Sequence, residues 1–135
     1  LKNPELTFDW ENNLVAVRSG LTVMVYKATD FTRNKKTLMY RFYLANKSVD
    51  GTNYARQGHD LINGYYYQYR GYTGTKLYIE VYNFAGDLIY THIFNPGFKK
   101  QEAEGLKIYN NKIYIGITKN CTGCNGKSNN IYYFE

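Results

Sequence analysis

The side chains best equipped for chemistry in this chain flank a repeated glycine. Gln57, His59 and Asp60 surround Gly58, and Glu102 and Glu104 precede Gly105. Carboxamide, imidazole and carboxylate groups exchange hydrogen bonds with hydroxyls, and glycine lets another backbone or a ligand come close. Two chemistries follow. One is hydrogen-bonded recognition of a polyhydroxyl ligand. The other is glycoside cleavage, which needs two carboxyl groups about 5–10 Å apart in unlike environments. Asp60 and Glu104 would form that pair, but upstream only Asp9 offers a third, positioning carboxylate. We therefore expect binding, with no catalytic residues. A structural role competes with both: polar groups on inner strands tie neighbouring elements together and satisfy buried backbone groups.

Arg56, Lys99, Lys100 and Lys107 lie beside the motif glycines. They can neutralise phosphates through charge-assisted hydrogen bonds that weaken with salt, or serve as solvated loop charges. Tyr65 shares a strand face with Tyr67 and Tyr69. Such rings stack on sugars, although a ring packed between sheets gains more by burial.

The elements that must position these groups are read from a recurring phrase. Gln57-Gly58-His59-Asp60-Leu61-Ile62-Asn63-Gly64 matches Glu104-Gly105-Leu106-Lys107-Ile108-Tyr109-Asn110-Asn111, and a weaker copy without the glycine runs from Thr7 to Asn13. The asparagines expected to open each turn, Asn12, Asn63 and Asn110, stand 51 and 47 residues apart. A period of about 40–50 residues holding several short strands is the signature of β-propeller blades. Alternation supports strands at Leu14 to Val17, Val23 to Ala28, Leu38 to Leu44, Tyr65 to Tyr69, Leu77 to Tyr82, Ile89 to Ile93, Leu106 to Tyr109, Lys112 to Thr118 and Ile131 to Phe134. No stretch of ten residues carries a 3.6-residue apolar period, so the chain reads as all-β. Blade units are expected at about 7–49, 57–95 and 102–135, within one domain spanning 1–135. Three units cannot close a ring of four to eight blades, so further segments or chains must complete it.

Composition agrees. Sixteen Tyr, seven Phe and one Trp against two Pro suit pleated, half-buried surfaces. The net charge of +6 suits a polyanionic partner, or simply keeps a Tyr-rich sheet protein soluble. No apolar run approaches the roughly 20 residues of a membrane span, so no membrane insertion is expected. No groove-reading or base-stacking signature points to nucleic acid. The start, Leu1-Lys2-Asn3-Pro4, lacks an initiator Met and a signal-peptide pattern, as in a processed or excised chain. Cys121 and Cys124 supply only half of a four-cysteine zinc site, and His59 and His92 have no ligand spacing to them. The segment 125–130 reads as a turn-forming loop, which favours loop thiols or a local disulfide over redox chemistry. No metal and no cofactor are expected.

The motifs Gln57-Gly58-x-Asp60, Asn63-Gly64-Tyr65-Tyr66-Tyr67, Ile79-x-Val81-Tyr82-Asn83 with Gly86-Asp87, Glu102-x-Glu104-Gly105-Leu106 and Ile113-Tyr114-Ile115-Gly116-Ile117 together resemble one propeller family. It is the five-bladed β-propeller of receptor-binding (tail tip) proteins from phages of Gram-positive hosts. Its relatives are labelled helveticin-like or teichoic-acid biosynthesis protein C-like. The resemblance implies host-wall recognition on a virion tail, binding an anionic wall polymer (teichoic acid) or its glycan decorations, often as a homotrimer. It implies a secreted, bacteriocin-like wall-binding propeller as the alternative, with a glycosidase-type propeller third. The chain is about two blades short of that family's ring, as in a C-terminal fragment or part of a split domain. If the motif glycines lie on innermost strands, Gln57, His59 and Asp60 should meet Glu102 and Glu104 at one channel mouth.

Overall fold

A computed structural model describes residues 3–71, 76–98, 100–120 and 127–134. They form three antiparallel sheets in chain order. The first contains β1 (Glu5–Asp9), β2 (Leu14–Ser19), β3 (Thr22–Lys27) and β4 (Leu38–Tyr43), with the four-residue helix α1 (Ala28–Phe31) between its last two strands. The second contains β5 (Arg56–Ile62), β6 (Tyr65–Arg70), β7 (Leu77–Asn83) and β8 (Leu88–Phe94). The third contains β9 (Glu102–Tyr109), β10 (Lys112–Asn120) and β11 (Lys127–Phe134). In each sheet every strand pairs with its sequence neighbour, as short turns between alternating segments dictate. The all-β expectation holds. Several strand bounds differ, among them three starts: β1 is a full strand where only a turn copy was read, β9 begins at Glu102 rather than Leu106, and β11 begins at Lys127 inside the expected loop. Residues 128–130 are drawn into the ladder opposite 117–119 in β10, which uses backbone groups a loop would leave to water.

Two apolar seams join the sheets. Ala16, Val23, Val25, Phe42 and Leu44 of the first sheet and the segment after it pack on Leu61, Tyr66 and Tyr82 of the second. Tyr69, Leu77 and Ile79 of the second pack on Ala103, Leu106, Ile108, Ile115 and Ile117 of the third. At about 1.5–3 kcal/mol for each large side chain fully removed from water, these seams outweigh any single polar contact. The middle of the second sheet is therefore covered on both faces, which explains why β7 is a continuous buried run from Leu77 to Tyr82, while the edge strand β8 stays partly exposed. The first sheet's other face is also covered: Val15, Val17, Met24 and Tyr26 pack with Ala28 and Phe31 of α1. On the third sheet's outer face, Glu104, Lys107, Tyr114, Thr118 and Ile131 line an open groove of about 720 Å³.

This stacking sets the first strands side by side, β1 against β5 and β5 against β9. All three begin at one end of the molecule and finish at the other, in the turns of the repeated phrase.

Candidate functional site: the turn end of the three first strands

Gly58 fixes how closely two of these strands approach. A Cβ there would lie 2.7 Å from the Leu106 amide nitrogen and 3.0 Å from the Glu104 carbonyl oxygen, closer than real Cβ atoms come. The glycine accommodates the neighbouring strand, not a ligand. Asp60, 1% exposed, fastens the same junction. Its Oδ2 accepts the Ile108 amide at 2.7 Å; its Oδ1 accepts the Thr7 hydroxyl at 3.0 Å and the Leu61 amide at 2.9 Å, with the Lys107 ammonium at 3.5 Å. Asp60 thus clasps β1, β5 and β9 together. Asp9 does the same for the first two sheets, accepting from Asn12 at 2.7 Å and from the Asn63 amide at 3.0 Å.

The other sequence-selected groups are distributed rather than gathered at one mouth. At the start of the strands Gln57 Nε2 donates to Glu102 Oε1 at 3.1 Å. Glu104 lies on the outer face of the third sheet, accepting from Thr118 Oγ1 at 2.8 Å. His59 turns toward the first sheet, its Nδ1 2.8 Å from the Tyr66 hydroxyl. Burial, reinforced by the Arg18 charge, holds its imidazole below the ordinary value. Arg56 donates to the Ala45 and Asn46 carbonyl oxygens at the same strand-start end. Lys100 is exposed just before β9, and Tyr65 is exposed at the start of β6, lining an aromatic groove with Tyr67, Tyr90 and His92. Lys99, Cys121 and Cys124 lie outside the described residues.

Strand direction explains the dispersal. Arg56 opens β5 and Tyr65 follows its closing turn, so the two stand at opposite ends. Alternation then separates His59 from its neighbours Gly58 and Asp60, which meet β9.

The turn end carries a site that the motif residues only border. Asn63-Gly64 (φ +50°, +85°) and Asn110-Asn111 (φ +47°, +60°) make two-residue hairpin turns with both residues left-handed, a conformation that glycine and asparagine tolerate best. The first hairpin instead has a four-residue loop, Trp10 to Asn13, in which Asn13 rather than Asn12 is left-handed (φ +56°). Asn12 is thereby released to bridge two turns. Its Nδ2, besides meeting Asp9, lies 3.2 Å from Asn63 Oδ1. Together the turns enclose a groove of about 550 Å³ lined by Trp10, Glu11, Asn63, Lys107, Tyr109 and Asn110 among others. Trp10, the sole tryptophan, is 62% exposed, and Tyr109 is 61% exposed. Trp10 is nonetheless held in place, stacked on Phe8 with centroids 4.6 Å apart and planes 7° from parallel. Flat aromatic surface bordered by carboxamides, a carboxylate and an ammonium is suited to a polyhydroxyl or phosphate-bearing ligand. Trp10 and Tyr109 both fall inside copies of the repeated phrase, yet neither stands among the binding residues expected from the sequence. The available signal was a single Trp bracketed by Asp9, Glu11, Asn12 and Asn13, polar company that a core residue seldom keeps.

Among known proteins, no family model matches this sequence and no curated protein matches it. A search of solved structures finds the same fold in the tail fiber of Staphylococcus aureus phage P68: TM-score 0.80 over 97% of this chain, at 19% sequence identity. The chain corresponds to 28% of that tail fiber chain.

Proposed function

We propose, taking that shared fold as the premise, that this chain is the wall-recognition part of a phage tail receptor-binding protein of a Gram-positive host. It acts on the virion tail, outside the cell, by binding wall teichoic acid or its sugar decorations. The observation that carries the reading is the turn-end groove, where Trp10 is both exposed and stacked on Phe8 beside Asn63, Asn110 and Lys107. A ring held flat before binding loses little freedom on engaging a sugar face, while amides orient the hydroxyls and Lys107 offers charge to a phosphate.

Three sheets radiating from adjacent first strands support reading each as a propeller blade. Gly105 supports continuation beyond the third. It occupies the place of Gly58 in the repeat, yet a Cβ there would meet nothing within 4 Å, as though another first strand belonged beside it. On the far side of the first sheet, any added blade must sit beside α1. The remaining blades would come from other segments or chains of the receptor-binding protein, with a homotrimer as the assembly. Binding without hydrolysis is supported by Asp60, whose two carboxylate oxygens already serve Thr7, Leu61 and Ile108.

The test is retention on purified Gram-positive cell walls. Trp10→Ala should reduce retention at least tenfold while leaving the far-UV circular dichroism unchanged. Undiminished retention would remove the groove from the account. Sugar or phosphate released from purified teichoic acid by the wild-type protein, and absent with Asp60→Asn or Glu104→Gln, would replace binding with catalysis.

A further inference from the structure

At the opposite end of the first strands, a second groove of about 660 Å³ is lined by Arg18, Arg56, Asn46, Asn53, Asn3 and Glu5, with Ser19, Gly20 and Leu21. Its charges do not balance. Arg18 pairs with Glu5, and Arg70, immediately behind, pairs with Glu80 at 3.2 Å, both of the latter side chains being buried. Arg56 pairs with no carboxylate among the described residues and meets only the carbonyl oxygens of Ala45 and Asn46. The Nε atoms of both Arg18 and Arg56 are buried without a hydrogen-bond partner. Each such donor costs about 1–3 kcal/mol if it stays unsatisfied. Three guanidinium groups against two carboxylates, in a region largely removed from water, leave one positive charge uncompensated. Burial, then the Arg70 and Arg18 charges, press the Arg56 guanidinium below its ordinary value against the opposing charge of Glu80.

We propose that the Arg18–Arg56 groove is a binding site for a phosphate group. Guanidinium forks match the spacing of phosphate oxygens, and two of them on one groove select an oxyanion over a neutral hydroxyl. Asn53 accepts an Arg70 N–H through Oδ1 at 3.2 Å, which leaves its NH2 as the group it can offer. Asn46 adds a second carboxamide on the rim. Among the described residues, Glu5 is the one acidic residue lining the groove; half exposed, it pairs with Arg18 and leaves Arg56 to the ligand. The site is independent of the wall-recognition reading, since it lies at the other end of the strands from Trp10. The two sources of such a group are free inorganic phosphate and the phosphodiester of a polymer.

Thermal unfolding at constant ionic strength tests it, because a ligand held by the folded state alone raises the midpoint, and the rise grows with the logarithm of ligand concentration above the dissociation constant. Inorganic phosphate should raise the midpoint above a matched chloride control, and Arg56→Gln should abolish the rise. Should Arg56→Gln fail to fold, Asn46→Asp serves, since Asn46 is exposed and the new carboxylate would sit beside Arg56. Asn46→Asp should have a higher midpoint than wild type in phosphate-free buffer at pH 7 and no phosphate response. A glycerol phosphate oligomer effective at lower concentration than inorganic phosphate identifies a polymer as the source; protection by inorganic phosphate alone identifies the free ion. A wild-type response equal to that of chloride, or an undiminished response in Asn46→Asp, would overturn the site.

Discussion

Asp60 and His59 are neighbours in sequence with opposite duties. Asp60 holds donors from three strands in a place water barely reaches, so Asp60→Asn turns an acceptor into a donor facing N–H or O–H groups. We expect it to cost about 1–3 kcal/mol for each donor left without an acceptor, read from urea unfolding. His59 contributes through its neutral form. Its folded-state value is depressed below the ordinary 6.5, so the unfolded chain takes up a proton first as the pH falls. The resulting stability is fully present above pH 6.5 and is lost as the pH falls below it, with a slope of at most about 1.4 kcal/mol per pH unit for one group. His59→Gln should flatten this part of the stability curve between pH 7.5 and 5. Superimposable wild-type and variant slopes would show that another group is responsible. Trp10 reports on its own environment: as the sole tryptophan and largely exposed, it should emit at long wavelength and be readily quenched by acrylamide, and a ligand in the groove should shield it.

At the scale of elements, the two repeated glycines make opposite forecasts. Gly58→Ala forces a methyl group into the backbone of β9 and should cost at least the roughly 1–3 kcal/mol typical of overpacking. Gly105→Ala meets nothing within 4 Å and should be tolerated in this chain. In the longer assembly we propose, Gly105→Ala should become as costly as Gly58→Ala, and equal tolerance in both settings would remove the expected neighbouring strand. The repeated phrase made the strand succession legible, because a period of two residues and Asn-Gly turns are local properties. What it hid was long-range. Asn12 and Asn13 look interchangeable in sequence, yet the four-residue loop makes Asn13 the left-handed residue and releases Asn12 to reach Asn63. Likewise, the composition of 128–130 suggests a loop, and only pairing with β10 converts it to strand. Polar residues around Gly58 were legible as important. Alternation and strand direction then sent Gln57, His59 and Asp60 to three different partners, a separation that depends on which sheets flank β5.

The whole molecule offers two candidate functional ends joined by three first strands: an aromatic, amide-rich turn end and an arginine-rich strand-start end. The sheets supply rigidity between them, with apolar seams on both faces of the second sheet. A phage tail fiber shares the fold; that this body grips a wall polymer is the proposal made above. The most direct measurement is retention of the protein on Gram-positive cell walls before and after teichoic acid is extracted. We expect retention on intact walls, loss of at least tenfold on stripped walls, and an equal loss for Trp10→Ala on intact walls. Equal retention on intact and stripped walls would contradict the account.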